Sequence, residues 1–420
     1  MVKRILLVAT GSRGDVQPMI ALSQGLISAG YDVTLMAGSN FKTWVESYNI
    51  NFWDIGVDMQ AIMSGSSGKE WIEGSSNSSL AEARNMRRMV GEMEDDLVLN
   101  LLEASEQADV LVSGLPVFGI IDAIAEKTGK THINILLSPL LPAKEGAATL
   151  VPTFPKRRSW FNYMTGFIGM YFVWWIFKDS TNHFRTQNGL NPTTYRQFHK
   201  RWRSLPVLHG MSPLITPNSQ EWNDQTTVSG YWFLDEGTTW QPSQALVDFI
   251  QAGEPPVYIG FGSMTSKNPQ ATGELLMKAI VDSGERGIIN TGWAGFNSSD
   301  IPEQVFLIDG APHDWLFPQM KAIVHHGGAG TTAAALRSGK PNMVVSHMAD
   351  QPYWGRRVHE LGVGANFIRR HQLTAEGLAQ AIREMASQPE IAQNAASLGE
   401  KIRAEDGVAR AVEYIQSVLS

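Results

Sequence analysis

A chain of 420 residues, 43% hydrophobic and 18% charged, has the make-up of a globular protein long enough for two domains of roughly 200 residues each. Its formal net charge of −7 argues against nucleic-acid binding, which needs a basic stripe to displace phosphate counterions. Cysteine is absent, which excludes disulfides, thiolate nucleophiles and cysteine-based zinc sites and fits a reducing, cytoplasmic setting.

The first apolar run, Ile5 to Ala9, is too short for the core of a signal peptide and reads as a strand. A loop follows from Gly11 to Pro18, with Pro18 able to start a helix from Met19 to Ala29. Gly30 stops that helix and a second strand runs from Asp32 to Met36. Such a βαβ unit opens a doubly wound parallel sheet. Ser64 to Ser79 is rich in serine and glycine and reads as a surface loop. Further strands are expected at Asp109 to Val112 and His132 to Leu137.

Trp160 to Phe177 carries no charge over eighteen residues and is preceded by Lys156, Arg157 and Arg158. Tryptophans with basic flanks suit a membrane interface or an apolar ligand, and a buried core helix accounts for them equally well. Asn162, Thr165, Gly166 and Gly169 dilute a length that is already minimal for a full span. Proline, asparagine, serine and glycine gather between Pro213 and Thr239, where a domain boundary is expected.

Strands then recur at Pro256 to Phe261, Gly287 to Asn290, Val305 to Ile308, Ala322 to Val324 and Asn342 to Val345. Helices are expected at Ala271 to Ser283, Thr374 to Met385 and Gly407 to Leu419. Alternation of strand and helix in both halves predicts an α/β chain of two parallel-sheet domains.

Two strand-to-helix turns carry chemistry. In Gly11-Ser12-Arg13-Gly14-Asp15, Ser12 and Arg13 can meet a phosphate and Asp15 can act as a general base. Helix capping by Asp15, with Arg13 paired to it, is an equally good reading. The turn is neither a GxGxxG fingerprint nor a Walker loop. The second turn is Val324-His325-His326-Gly327-Gly328-Ala329-Gly330-Thr331-Thr332. Its glycines let an anion approach the open N–H groups of the next helix's first turn. Asp350 and Gln351 follow the next strand and suit sugar hydroxyls, or an ordinary turn.

Ala311 to Pro318, His325 to Thr332, Leu336 to Pro341 and Asp350 to Val358 together resemble the donor signature of family 1 nucleotide-sugar-dependent glycosyltransferases. Gly11 to Pro18 is similar to the amino-terminal motif of the sterol and lipid glucosyltransferases and of bacterial glycopeptide and macrolide glycosyltransferases. The resemblance implies the GT-B fold, two Rossmann-like doubly wound domains facing across a cleft. It divides the chain into an acceptor-binding domain over residues 1–225, a donor-binding domain over 226–400 and a terminal helix over 401–420 that crosses back.

By the same resemblance Asp15 is the catalytic base, without the histidine–aspartate dyad of many relatives, because the place of the aspartate reads Ser113. The donor would be held by Ser12, Arg13, Gly262, Ser263, Trp293, His313, His326, Gly328, Ala329, Gly330, Thr331, Asp350 and Gln351. His326 would contact the diphosphate, Trp293 would stack on the base, and His325 would be structural. Gly310 and Ala334 stand where plant members carry a base-stacking tryptophan and a ribose-binding glutamate.

The implied activity is inverting transfer of a hexose, glucose from UDP-glucose foremost, to a hydroxyl of a sterol, other lipid or polyketide- or flavonoid-type aglycone. No D-x-D triplet occurs, so neither a metal nor any cofactor beyond the UDP-sugar co-substrate is expected. The expected partners are a nucleotide-sugar donor and an apolar acceptor, with peripheral membrane contact through Trp160 to Phe177 and no nucleic acid. A non-catalytic nucleotide- or lipid-binding protein on the same fold, or a GT-B sugar-nucleotide epimerase, are the alternatives.

Overall fold

The computed structural model describes residues 2–57, 84–88, 90, 94–146, 158–262, 268–291 and 300–420. The serine- and glycine-rich stretch from Ser64 to Ser79 lies outside them. The described residues up to Leu234, with Glu405–Ser420, form one compact unit, and those from Asp235 to Ala404 form a second.

The first unit is built on seven parallel strands: β1 Arg4–Val8, β2 Asp32–Ala37, β3 Asn51–Asp54, β4 Val110–Ser113, β5 Thr131–Leu136, β6 Val207–His209 and β7 Thr226–Val228. They lie in the order β3-β2-β1-β4-β5-β6-β7. Ile5, Leu6, Leu7 and Val8 are all buried, the continuous apolar run required of a strand covered on both faces. The second unit has β8 Val257–Gly260, β9 Gly287–Asn290, β10 Val305–Ile308, β11 Ala322–His325, β12 Asn342–Ser346 and β13 Ile368–Arg369, ordered β10-β9-β8-β11-β12-β13. In each sheet the order reverses once beside the first strand, between β1 and β4 and between β8 and β11. Ligands bind outside the carboxyl ends of strands at such a switch point. The Gly11–Asp15 turn follows β1, and the glycine turn follows β11, so the topology puts each at its unit's switch point.

The first helix departs from expectation. It runs from Arg13 to Ser28, with Pro18 inside it rather than at its start. A cap formed at Ser12 begins the helix five residues before the proline. Burial of Val16, Met19 and Ile20 outweighs the hydrogen bond that Pro18 forgoes. Strands β3, β6 and β7 and the helices Tyr195–Trp202 and Pro389–Arg403 carry too few periodic residues, or too much charge, to stand out in the sequence. β7 falls within the stretch where the domain boundary was expected.

The apolar segment is part of a longer helix, Trp160–Gln187, whose Met170, Val173, Ile176 and Phe177 join the core beneath it. Gly166 allows that close packing, since a Cβ there would lie 2.6 Å from Pro142 Cα. Among the described residues no helix is long and apolar enough to cross a membrane.

The terminal helix, Gly407–Leu419, packs on the first unit through Ala411, Val412 and Ile415. Two glycines permit its docking. Gly230 has φ +112°, and a Cβ on Gly407 would lie 2.3 Å from the Tyr231 carbonyl oxygen. Ser212 Oγ donates to Glu405 at 2.7 Å just ahead of the helix. Gly407→Ala forces backbone against backbone and should destabilise the protein by about 1–3 kcal/mol. Thermal denaturation reads the loss, and hydrogen exchange should show the terminal helix opening first; an unchanged melting temperature would contradict the packing.

Candidate active site

At the β1 switch point, Ser12 caps the helix it precedes. Its Oγ accepts the Gly14 N–H at 3.3 Å, and Asp15 Oδ2 accepts the Ser12 N–H at 2.8 Å, a reciprocal capping box. A side chain on Gly11 would meet Asp15 Oδ2 at 2.2 Å, so the bare backbone there leaves room for the carboxylate. The Arg13 guanidinium lies 4.4 Å over the Trp44 ring, a cation–π contact that fixes the loop's outer wall.

Beside this turn, Ser113 ends β4, in register with Val8 of β1. Its Oγ lies 3.0 Å from His132 Nε2, and His132 Nδ1 lies 3.4 Å from Asp122 Oδ1. Arg201 Nε donates to both Asp122 oxygens, at 2.9 and 3.1 Å. Because an ionised carboxylate only accepts, the His132 nitrogen facing Asp122, Nδ1, carries a proton. Burial pushes the Asp122 carboxyl up, but the bonds and charges of His132 and Arg201 hold it below the ordinary range. This chain, buried except at Arg201, was not legible in the sequence, since its four members are scattered over four elements.

In the second unit β11 pairs β8 so that His325 aligns with Gly260. The turns after the two strands are therefore neighbours. His325 is fully buried, its Nε2 3.3 Å from Asn342 Oδ1 and its Nδ1 accepting the Gly327 N–H at 3.1 Å. It braces the turn from within. His326 points the other way, between two glycines. A Cβ on Gly328 would lie 2.5 Å from its Nε2, and one on Gly262 3.1 Å from its Cε1. Its Nδ1 is buried with no hydrogen-bond partner among the described residues, a group that awaits a ligand.

The helix that follows, Ala329–Ser338, has Gly328 at its N-cap and no side-chain cap. Its first N–H groups are thus left to an external acceptor, with the positive end of the helix dipole behind them. Gly327 has φ +90°, which turns the chain sharply into that helix. Gly328, Ala329, Gly330 and Thr331 all lie at this opening.

Asp350 and Gln351 sit at the start of the helix Gln351–Glu360. Gln351 Oε1 accepts the His347 and Met348 N–H groups at 2.6 and 3.1 Å. These bonds hold a loop in which Ala349 adopts φ +52°, an uncommon conformation for a residue with a side chain. Asp350 Oδ2 accepts the Trp354 indole N–H at 2.7 Å, which aims the carboxylate. Gln351 also packs beside the glycine turn, since a Cβ on Gly327 would meet its Cβ at 3.2 Å. His313 stacks on Phe317, centroids 4.2 Å apart, at the start of a one-turn helix. The neighbouring Asp314 serves structure, accepting the Glu236 and Gly237 N–H groups.

Within the second unit, Gly262, His326 and Gly328–Thr331 meet at one opening, and Gln351 abuts it. Within the first, Ser12 and Asp15 are joined by the capping box and Arg13 is fixed on Trp44. Ser263 and Trp293 lie outside the described residues.

Burial lowers His325 and His347 to about 3 and His326 to about 4, so all three are neutral near pH 7. His209, buried in the first unit, is lowered to about 3. The unfolded chain binds these protons near pH 6.5 and the folded chain does not, so the unfolded state gains protons as pH falls. Stability should therefore decline as pH drops from 6.5 towards 4, and thermal melts across that window check it. His325→Gln should shallow the decline; a melting temperature flat over this range would contradict the neutral assignment.

Residues 5–106 match the glycosyltransferase family 28 N-terminal domain, and residues 275–416 match the erythromycin biosynthesis protein CIII-like C-terminal domain. A sterol 3-beta-glucosyltransferase of Arabidopsis thaliana is 33% identical over 420 residues, covering 98% of this chain and 67% of the relative. Another, of Pichia angusta, is 31% identical over 98% of this chain, which spans 33% of that relative's length. The glycotransferase of kitacinnamycin shares the fold at a TM-score of 0.73 and 17% identity, with all of both chains covered. With both switch-point turns in place and a relative of this identity matched along almost the whole chain, the protein belongs to the GT-B glycosyltransferase family that contains the sterol 3-beta-glucosyltransferases.

Proposed function

We propose that the chain transfers glucose from UDP-glucose to a hydroxyl of an apolar acceptor, a sterol or similar aglycone, with inversion and without a resident metal. The observation that carries this reading is the uncapped N-terminus of Ala329–Ser338 beside the orphaned His326 Nδ1. A diphosphate supplies the acceptor oxygens that both lack. The N–H groups of the first helical turn, the Thr331 hydroxyl and neutral His326 take its oxygens as hydrogen-bond donors. They stabilise the charge that develops on the leaving UDP. Asp350, aimed by Trp354, takes sugar hydroxyls, with the Gln351 amide N–H groups beside it. On the sequence, Ser263 adds a phosphate contact and Trp293 stacks on the base.

Asp15 takes the acceptor's hydroxyl proton as that oxygen bonds to the anomeric carbon and the bond to UDP breaks. The Ser12 N–H that caps its helix also fixes the carboxylate's orientation. The names of the curated relatives support glucose as the sugar and a sterol hydroxyl as the acceptor. An acceptor of that kind resides in membranes, and the outward face of the Trp160–Gln187 helix is where this chain meets one.

Asp15→Asn keeps an oxygen for the Ser12 N–H, so the helix cap should survive while the base is lost. Turnover should fall by about 10²- to 10⁴-fold with UDP affinity unchanged; near-wild-type turnover would remove Asp15 from the chemistry. Donor turnover without any acceptor would indicate an epimerase instead, and UDP binding without release on any acceptor a binding protein. Gly328→Ala drives a methyl group against His326, and calorimetry should show UDP affinity reduced about tenfold or more, the worth of a hydrogen bond to a charged group. Unaltered affinity would place the diphosphate elsewhere.

A further inference from the structure

The long helix Trp160–Gln187 has an outer face that its buried side does not explain. Trp160, Phe161, Met164, Ile168 and Tyr171 are 67%, 54%, 57%, 49% and 45% exposed. At 100° per residue the five fall within one arc of about 100°. They form an apolar stripe about 16 Å long, parallel to the helix axis. Single exposed apolar residues are ordinary, but five large ones on one helix face mark a docking surface.

A second helix, Tyr195–Trp202, packs along the edge of this stripe. The Tyr195 hydroxyl donates to the Phe167 carbonyl at 2.9 Å, Tyr195 meets Tyr171 with centroids 5.3 Å apart, and His199 meets Phe167 at 4.8 Å. Phe198 and Trp202 turn into the core, each ring against Phe118. That leaves Arg196, Lys200 and the following Arg203, spaced four and three apart, on the flank beyond the seam and away from the core. All three are exposed, and none makes an ion pair among the described residues. Other cations nearby are committed: Lys144 and Arg158 to Glu221, Lys178 to Asp179 and Arg201 to Asp122.

The charge balance of this region is opposite to that of the chain. Residues 158–203 carry seven lysines and arginines and a single acid, Asp179, within a protein of net charge −7. A second copy of the chain would bring like charges together, which disfavours self-association through this face. An apolar stripe bordered by uncommitted cations fits a lipid surface in which acyl chains take the former and headgroup phosphates take the latter.

We propose that this face docks on anionic bilayers, with Arg196, Lys200 and Arg203 selecting the negatively charged headgroups. The inference rests on the membrane contact proposed above and names its lipid class. Trp160 to Tyr171 enter the interface side-on, and the three cations set the preference between lipids.

Flotation of the whole chain with vesicles tests it, using phosphatidylcholine alone or with about one-third phosphatidylserine. Binding should strongly favour the anionic vesicles and weaken with added salt. Replacing Arg196, Lys200 and Arg203 together by glutamine should reduce that binding about 100-fold, with UDP affinity and the melting temperature kept. Met164→Glu with Ile168→Glu should abolish binding to both vesicle types, again with UDP affinity kept.

Equal binding to both vesicle types would overturn the anionic preference and leave the apolar contact standing. Absence of binding to either would overturn the docking surface altogether, and salt-independent self-association lost in Met164→Glu with Ile168→Glu would assign the face to a second copy instead. Transferase activity is tested separately, by turnover of an acceptor dispersed in detergent, where no bilayer is needed.

Discussion

The helix Ala329–Ser338 begins without a side-chain cap, and the second unit is arranged to keep it so. A serine or aspartate at position 328 would satisfy the orphan N–H groups from within. Glycine stands there because the His326 imidazole occupies the space a Cβ would need. Buried His325 holds the turn from behind through the Gly327 N–H, and Gln351 locks the neighbouring loop. Each of these groups uses its hydrogen bonds on the protein, and among the described residues the helix N-terminus and His326 Nδ1 have no such partner.

The two units share an architecture and treat the same position in opposite ways. In the first, the helix after the leading strand is closed by Ser12 and Asp15. In the second, the helix after β11 is left open. A closed N-terminus holds a carboxylate in place for proton transfer; an open one attracts an anion. This difference supports the proposed division of labour, with the base in one unit and the diphosphate in the other. A neutral His326 suits the second task, since burial removes its charge and leaves it a hydrogen-bond donor rather than a cation.

Much of this was legible in the sequence because it is local. Strand-to-helix turns with glycine at fixed offsets announce themselves, and so β11 and the turn after it were foreseen to within a residue, as was the terminal helix Gly407–Leu419. The separation of His325 from His326 came from the family resemblance, and the structure buries His325 against Asn342 and the Gly327 N–H. What depends on non-local packing was not legible. The helix through Pro18 and the Ser113–His132–Asp122–Arg201 chain draw on residues far apart in sequence. The partition of the helix Trp160–Gln187 into a buried and an exposed face needed the structure, because Trp160 to Phe177 is apolar nearly all round.

The account stands on the donor's diphosphate occupying the open helix N-terminus, and a crystal structure with UDP bound tests this most directly. The β-phosphate oxygens should lie within hydrogen-bond distance of the N–H groups of Gly330 and Thr331, with His326 donating to the same group. A diphosphate bound elsewhere, with the first turn of Ala329–Ser338 still facing solvent and His326 Nδ1 still unpartnered, would contradict it.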